Sequence, residues 1–401
     1  MSLRFPNFML KEPECIVYLD SYVKAGDGIV DAYIDFRQLK DLTMFRRIVN
    51  LPEDAGTYIE LKSLKSSKRL MRGCYYKLNL DLLKNEAFIR SEDSFILGGS
   101  YDLSKMDMPD GDDTELLQKH EILDPEELRQ RNNPQESPML ISATDDMRLY
   151  VKDVNQANWN ELRFGNKVVV LFDAGARLNA KRSEVDSIFE SRRVDLEVSK
   201  PMLVISHWDI DHIHCLKLIP EAELPKYFSK LICVDRKQTV TASGIYDKFI
   251  NSLGKKNVYC VPPAARTNGI DMHLWKNMGC LSIYLGEQSR NINYCGMVMF
   301  VKGLTKSANY TGDCRLTQAK SVYDQEIAQG VNTAQHALVA PHHGGDYGAS
   351  FRQYRVPCNE IAISVGLNNS YGHPQQDMVR YLNRLGIVNR TDVVGDIEIK
   401  L

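Results

Sequence analysis

Four side chains able to bind a metal fall within six residues of this chain. They are His207, Asp209, Asp211 and His212, in the stretch Ser206-His207-Trp208-Asp209-Ile210-Asp211-His212. The apolar run Met202-Leu203-Val204-Ile205 precedes them and reads as a buried strand, with the cluster on the loop leaving its end. Imidazole and carboxylate together suit zinc or a similar divalent ion. In an extended loop, positions i and i+2 project to one side, so His207 and Asp209 can share one ion. Asp211 and His212 open the next segment, with Ile213, Leu216, Leu218 and Ile219, and can hold a second ion close by. Two neighbouring ions make a hydrolytic centre rather than a structural staple. A solvated acidic loop with two histidines is the bland alternative, and it loses weight because further matching pieces follow in order.

Tyr310-Thr311-Gly312-Asp313 follows a strand, and its glycine permits a tight turn that presents Asp313, whose two oxygens can bridge two cations. Ala337-Leu338-Val339-Ala340-Pro341-His342-His343-Gly344-Gly345 is another buried strand, ending in adjacent histidines and a flexible Gly pair. Ser370-Tyr371-Gly372-His373-Pro374 puts one more histidine on a turn before a helix. Five of the nine histidines thus lie at strand ends or turns beside Asp or Gly. His120, His214, His273 and His336 read as structural, with His214 and His273 held in reserve to complete a coordination shell.

The elements that position these groups are legible in outline. The 401 residues exceed what one hydrophobic core usually serves. Residues 1–101 read as a small α+β region, with strand-like runs at 16–19, 32–36 and 94–97. Residues 102–138 are acidic and Pro-containing, a linker with one short helix beginning at Asp124-Pro125-Glu126-Glu127. Residues 139–401 alternate strands and helices, with strands expected at 148–151, 168–172, 202–205, 298–301 and 361–365. A helix over 377–385 has Gly386 as its expected C-terminal cap.

Composition bounds the function. The hydrophobic and charged fractions, 43% and 25%, are those of an ordinary globular protein. A net charge of −2 gives no global attraction to nucleic acid or anionic membrane, so such binding would need local patches. No stretch reaches the ~20 apolar residues of a membrane helix, and the start lacks a signal-peptide core, so no membrane association is expected. Nine scattered cysteines, odd in number and without a CxxC pair, suggest reduced thiols in the cytoplasm.

From about residue 148 to 401 the chain resembles the metallo-β-lactamase superfamily, and within it the hydrolase domain of ComEC-like competence proteins. The signature His-x-[His/Asp]-x-Asp-His is matched by His207, Asp209, Asp211 and His212. Asp313 in Thr-Gly-Asp, His342-His343-Gly344 and Gly372-His373-Pro374 match the later elements. Asp153-Val154-Asn155-Gln156-Ala157-Asn158 is similar to the opening element, with Asn155 and Ala157 in place of its glycines and Asn158 where an acidic residue is usual. Phe172-Asp173-Ala174-Gly175 is similar to the strand-end Asp-x-Gly. The superfamily's isolated histidine before the bridging Asp has no obvious counterpart, His273 being the one distant candidate.

The resemblance implies an α/β (α+β) fold, a four-layer αββα sandwich with the metals where two sheets meet. It implies that His207 and Asp209 bind one ion, that Asp211, His212 and His343 bind the other, and that Asp313 bridges them. Two zinc ions are expected, with manganese the alternative, because Asp209 hardens the first position. A hydroxide shared by the ions would be the nucleophile. Asp211, His342 and His373 would serve catalysis, the two histidines by binding a phosphate oxygen or protonating the leaving group. Asp173 would orient a ligand.

The expected activity is that of a phosphodiesterase or nuclease on nucleic acid or nucleotides. Hydrolysis of another ester, lactone or thioester, or a non-catalytic interaction module, are the alternatives. Lys62, Lys65, Lys68, Arg69 and Arg72 partly line one helical face that could meet phosphates. Arg177, Lys181 and Arg182 are candidates for the cleft mouth, and the N-terminal region for a protein partner.

Overall fold

The computed structural model describes residues 14–26, 29–48, 51, 57–65, 72–79, 87–90, 95–98, 140–235, 239–265, 272–289, 291–331, 334–345, 349–367, 369 and 371–401. The chain divides into two units, Met1–Glu121 with Thr239–Thr241, and Ile122–Gln238 with Ala242–Leu401. The expected linker over 102–138, with its short helix, lies outside the described residues.

In the first unit, β1 (Glu14–Gly26), β2 (Ile29–Phe36), β3 (Ile59–Lys65), β4 (Cys74–Asn79), β5 (Ala87–Arg90) and β6 (Phe95–Gly98) form a sheet in the order β4-β1-β2-β3-β6-β5. Alternation sends Val17, Leu19, Ile34, Phe36, Ile59 and Leu61 into one apolar cluster with Leu42 and Phe45 of the helix Leu39–Ile48. The three expected strand runs are strands here. The basic run is not a helical face: Lys62 and Lys65 lie in β3, where Ile59 and Leu61 impose a two-residue period. Lys68 and Arg69 lie outside the described residues, and Arg72 donates to the Tyr22 carbonyl at 3.1 Å.

The second unit contains β7 (Met147–Val151), β8 (Asn160–Phe164), β9 (Lys167–Phe172), β10 (Met202–Ile205), β11 (Lys230–Val234), β12 (Val258–Val261), β13 (Met272–Asn277) and β14 (Leu281–Gly286). It continues with β15 (Met297–Lys302), β16 (Lys306–Tyr310), β17 (Gln335–Val339), β18 (Glu360–Ile363), β19 (Ile387–Arg390) and β20 (Ile397–Lys400). Two seven-stranded sheets result, β12-β11-β10-β9-β8-β7-β20 and β13-β14-β15-β16-β17-β18-β19. Strands β9 to β12 pair in parallel, as do β16 to β19.

The pleat gives the layers. Tyr284, Val298, Phe300, Leu338, Ile361 and Ile363 face the helices Leu316–Ala328 and Gln376–Leu382 across one apolar core. Tyr310, paired opposite Met299, faces the other way, and its ring lies 5.7 Å from that of Phe172 at the end of β9. The Tyr310 hydroxyl donates to the Glu161 carbonyl at 3.2 Å, joining sheet to sheet. Helix Arg182–Ser199 packs along β9. This is the mixed α/β, helix–sheet–sheet–helix stacking consistent with a metallo-β-lactamase fold.

Gly386 does not cap the Gln376–Leu382 helix, whose C-cap is Asn383. A Cβ at 386 would stand 1.9 Å from the Cys358 carbonyl oxygen, so close backbone approach explains the glycine. Gly175 is tighter still: a Cβ there would stand 1.8 Å from the Asp211 carbonyl oxygen. Its amide donates to the Asn158 carbonyl at 2.8 Å, and the Asn158 amide donates to that same Asp211 oxygen at 3.0 Å. Gly175→Ala should therefore destabilise the protein by about 3 kcal/mol through backbone collision. Urea unfolding measures it, and a wild-type midpoint would show that this packing is not tight.

Candidate metal centre

The site residues come from the carboxyl ends of parallel strands, where open α/β sheets generally present ligand-binding groups. Asp173 follows β9, His207 to His212 follow β10, Asp313 follows β16, and His342 and His343 follow β17. Helix Ile210–Leu218 begins inside the first motif, so Asp211 and His212 occupy its first turn. Asp209 is the N-cap residue, yet its side chain makes no capping hydrogen bond. Its Oδ2 lies instead 3.3 Å from His207 Nε2.

Three imidazoles share one mode of attachment. His207 Nδ1 lies 3.0 Å from Ser206 Oγ, His212 Nδ1 donates to Asp173 Oδ2 at 2.8 Å, and His343 Nδ1 donates to the Ser364 carbonyl at 2.8 Å. Each Nδ1 is engaged, which turns each Nε2 inward. His212 Nε2 stands 3.2 Å from Asp313 Oδ1 and 3.7 Å from Asp211 Oδ1, and His343 Nε2 stands 3.2 Å from Asp211 Oδ2. His207 Nε2 is buried, 3.9 Å from Asp313 Oδ2, and has no hydrogen-bond partner. Asp173 accepts from the Ser206 amide at 2.7 Å and the Ser206 hydroxyl at 2.8 Å besides its bond to His212.

Two groups of potential ligand atoms lie mutually close: His207, His212 and Asp313, and Asp211, His212 and His343. The expected partition gave His212 to the second group alone. Here it belongs to both, because its Nε2 is drawn between Asp211 and Asp313. The donor chemistry and the unpartnered His207 nitrogen fit a divalent ion.

The turn bearing His342 and His343 is bent. Both residues are left-handed, at φ 51° and 53°. Non-glycine residues held there cost on the order of 1–3 kcal/mol each. Asp173 is left-handed as well, at φ 63°. The His342 amide donates to the Gly312 carbonyl at 3.0 Å, and Thr311 Oγ1 donates to the Val339 carbonyl at 2.7 Å, so this turn and the Thr-Gly-Asp turn brace each other. Gly312 is left-handed too, and a Cβ there would meet Ser206 Oγ at 2.6 Å. His342 differs from the other three imidazoles by directing Nδ1 at Asp313 Oδ2. The His373 ring lies 5.3 Å from that of His342, and the Tyr371 ring stacks against it at 5.9 Å.

The reserve histidines lie elsewhere. His214 Nδ1 donates to the Arg177 carbonyl at 3.1 Å, and burial, with Lys217 nearby, lowers its pKa to about 4. His273 pairs with Glu287 at 3.0 Å, and His336 is in the core. Arg177 is bound by Glu184 at 2.6 and 2.7 Å. Arg182 lies 3.7 Å from Asp186. Sequence reasoning missed Asn293, whose Nδ2 lies 3.4 Å from Asp313 Oδ2, because a lone asparagine between two strands carries no motif.

Electrostatics ties the groups together. Burial alone would lower the His212 pKa, but Asp313, Asp173 and Asp211 raise it well above the imidazole range. Burial likewise opposes, and the bond to Asp211 and the charge of Asp313 outweigh it, in raising His343. Burial would raise Asp211, but His212 and His343 bring it down to about 2. Asp313 is held well below the carboxylate range, against burial, by His342 and His212.

No protein-family model and no curated protein matches the sequence. Among solved structures the chain is similar to Tm1679, a metal-dependent hydrolase of the β-lactamase superfamily, at 12% identity and TM-score 0.37, over 64% of this chain and 99% of that one. It is similar to the metallo-β-lactamase fold protein YhfI from Bacillus subtilis at 12% identity and TM-score 0.37, over 64% and 100%. It is also similar to the short form of human tRNase Z at 10% identity and TM-score 0.34, over 61% and 92%.

The charge pairing makes a signed prediction for protein stripped of metal. Raised imidazole values mean that His212 and His343 bind protons more tightly folded than unfolded. That stabilisation is full below about pH 6.5 and is lost as pH rises through the elevated folded values. The same pairing seen from Asp211 is lost on the acid side, as pH falls from about 3.8 toward about 2. Unfolding in chelator should thus show stability declining from about pH 6.5 upward, and a flat or rising profile would contradict it. Metal addition at neutral pH should release protons, read as a calorimetric heat that scales with buffer ionisation enthalpy.

Proposed function

We propose that this chain is a metal-dependent phosphodiesterase or nuclease of the metallo-β-lactamase superfamily, in its ComEC-like branch. One observation carries the reading: two His/Asp groups meet at His212, with His342 and His373 beside them. His207, Asp209 and Asp313 would hold one ion, and Asp211, His212 and His343 the other, with Asp313 shared. When bound there, a pair of divalent ions supplies Lewis acidity toward a phosphoryl oxygen and acidifies water toward neutrality. Zinc is the proposed pair and manganese the alternative.

The chain's own groups do the rest. Ser206, Asp173 and the Ser364 carbonyl fix the imidazole rings so that each Nε2 points inward. His342 keeps a partly exposed ring, 16% accessible, while its Nδ1 engages Asp313, and in this reading the ring would meet a phosphate oxygen. His373 beside it would hold a proton for the leaving oxygen. Among the described residues the cysteines form no disulfide, which suits a reducing cytoplasm. Among the described residues no helix is long and apolar enough to cross a membrane.

The test is a substrate screen on purified protein of measured metal content, supplied with Mn²⁺ or Zn²⁺. It spans single-stranded DNA, duplex DNA, RNA, bis-p-nitrophenyl phosphate and acyl esters. Phosphodiester cleavage is expected, and cleavage of esters alone would eliminate the proposal. Asp211→Ala should lower turnover by more than about 100-fold, beyond the loss typical of an outer-shell partner. Its circular dichroism should stay native, and full activity in that variant would refute the assigned role.

A further inference from the structure

The two groups of donors are unequal. Asp211, His212 and His343, with Asp313 shared, give one position four donors. A single imidazole nitrogen ligates one ion, so with His212 Nε2 given to that position only His207, Asp209 and Asp313 are left for the other. His273 cannot make up the difference, since its Nε2 is turned to Glu287 Oε1 at 3.0 Å.

The segment between β14 and β15 lies against the deficient side. The Met297 amide donates to the Ser206 carbonyl at 2.9 Å, immediately before His207. The turn Ile292–Cys295 is rigidly held: Asn291 Oδ1 accepts from the Asn293 amide at 3.0 Å, and Gln318 Nε2 donates to the Tyr294 carbonyl at 2.9 Å. The Arg315 guanidinium stacks 3.7 Å over the Tyr294 ring. This holds Asn293 inside the protein at 6% exposure, with Nδ2 donating to Asp313 Oδ2 at 3.4 Å. Its Oδ1 is buried without a hydrogen-bond partner. A buried amide oxygen left unpaired is costly unless something electropositive is to face it.

Taking as given the two-ion reading above, we propose that Asn293 Oδ1 is the fourth donor of the His207 side. That position would then offer one imidazole nitrogen and oxygens from Asp209, Asp313 and Asn293. The other offers two imidazoles and two carboxylates. Amide and carboxylate oxygens favour hard cations such as Mn²⁺ or Mg²⁺, whereas paired imidazoles suit zinc. The two positions are therefore chemically distinct, and the His207 side is the weaker for zinc and the better for manganese.

The experiment titrates metal-free, full-length protein with ZnCl₂ and with MnCl₂. Binding is followed by calorimetry, elemental analysis and the manganese paramagnetic resonance signal. Wild type should bind two ions, the weaker preferring manganese. Asn293→Ala should weaken only that ion, by about tenfold or more. Asn293→Asp, which keeps an oxygen in place, should retain it and so separates loss of a ligand from loss of fold. Asn293→His should tighten zinc and weaken manganese at the same position. Two ions bound with wild-type affinities by Asn293→Ala, or an unchanged preference in Asn293→His, would overturn the assignment alone. Absence of metal binding by wild type would overturn the metal-hydrolase reading with it.

Discussion

Asp173, Asp211 and Asp313 all reach one ring. His212 meets the first through Nδ1 at 2.8 Å and the other two through Nε2 at 3.7 and 3.2 Å. Two like charges ~4 Å apart at an effective dielectric constant of ~20 repel by about 4 kcal/mol, so such carboxylates cannot be gathered without positive charge among them. His212 and His343 provide it, and the lowered values of Asp211 and Asp313 express the same attraction. Each segment that delivers a carboxylate to the centre also delivers, or is bonded to, a donor that faces it.

That requirement explains why backbone geometry is stretched where it is. A strand end leaves in the direction of its strand, and only a sharp turn brings its next side chain back over the sheet edge. Left-handed Asp173, His342 and His343, and left-handed Gly312, are those turns. Bonds between the turns hold them: the His342 amide to the Gly312 carbonyl, the Asp173 amide to the Val204 carbonyl, and the Ala174 amide to the His212 carbonyl. Local strain is offset by a network that no single turn could make alone.

Much of this was legible in the chain before any coordinates. Four of the site's elements are short, and each combines an apolar run with a ligand-bearing turn, a local pattern that survives any arrangement of the rest. What a linear reading could not supply is partnership across distance. His212 appears to one group from its neighbours in sequence, but tertiary approach of Asp313 gives it two. Asn293 carries no signal at all, since its meaning comes from β14 and β15 folding back beside Ser206. Lys62, Lys65, Arg69 and Arg72 match a helical spacing by chance, while the alternation of Ile59 and Leu61 determined the strand. Gly386 shows the same limit, because Cys358 meets it from another strand.

His343 and Asp211 touch although 132 residues separate them. The edge of the first sheet is likewise closed late, by β20 pairing with β7 so that Ile397 lies opposite Val151. A nascent polypeptide that has produced the His207–His212 stretch therefore carries Asp211 before His343, its second imidazole partner, has left the ribosome. Until the later strands emerge, that carboxylate stays in water and the half-built sheet keeps an unpaired margin. Completion of the His/Asp centre and of the unit that holds it are thus one late, cooperative event in the life of the chain.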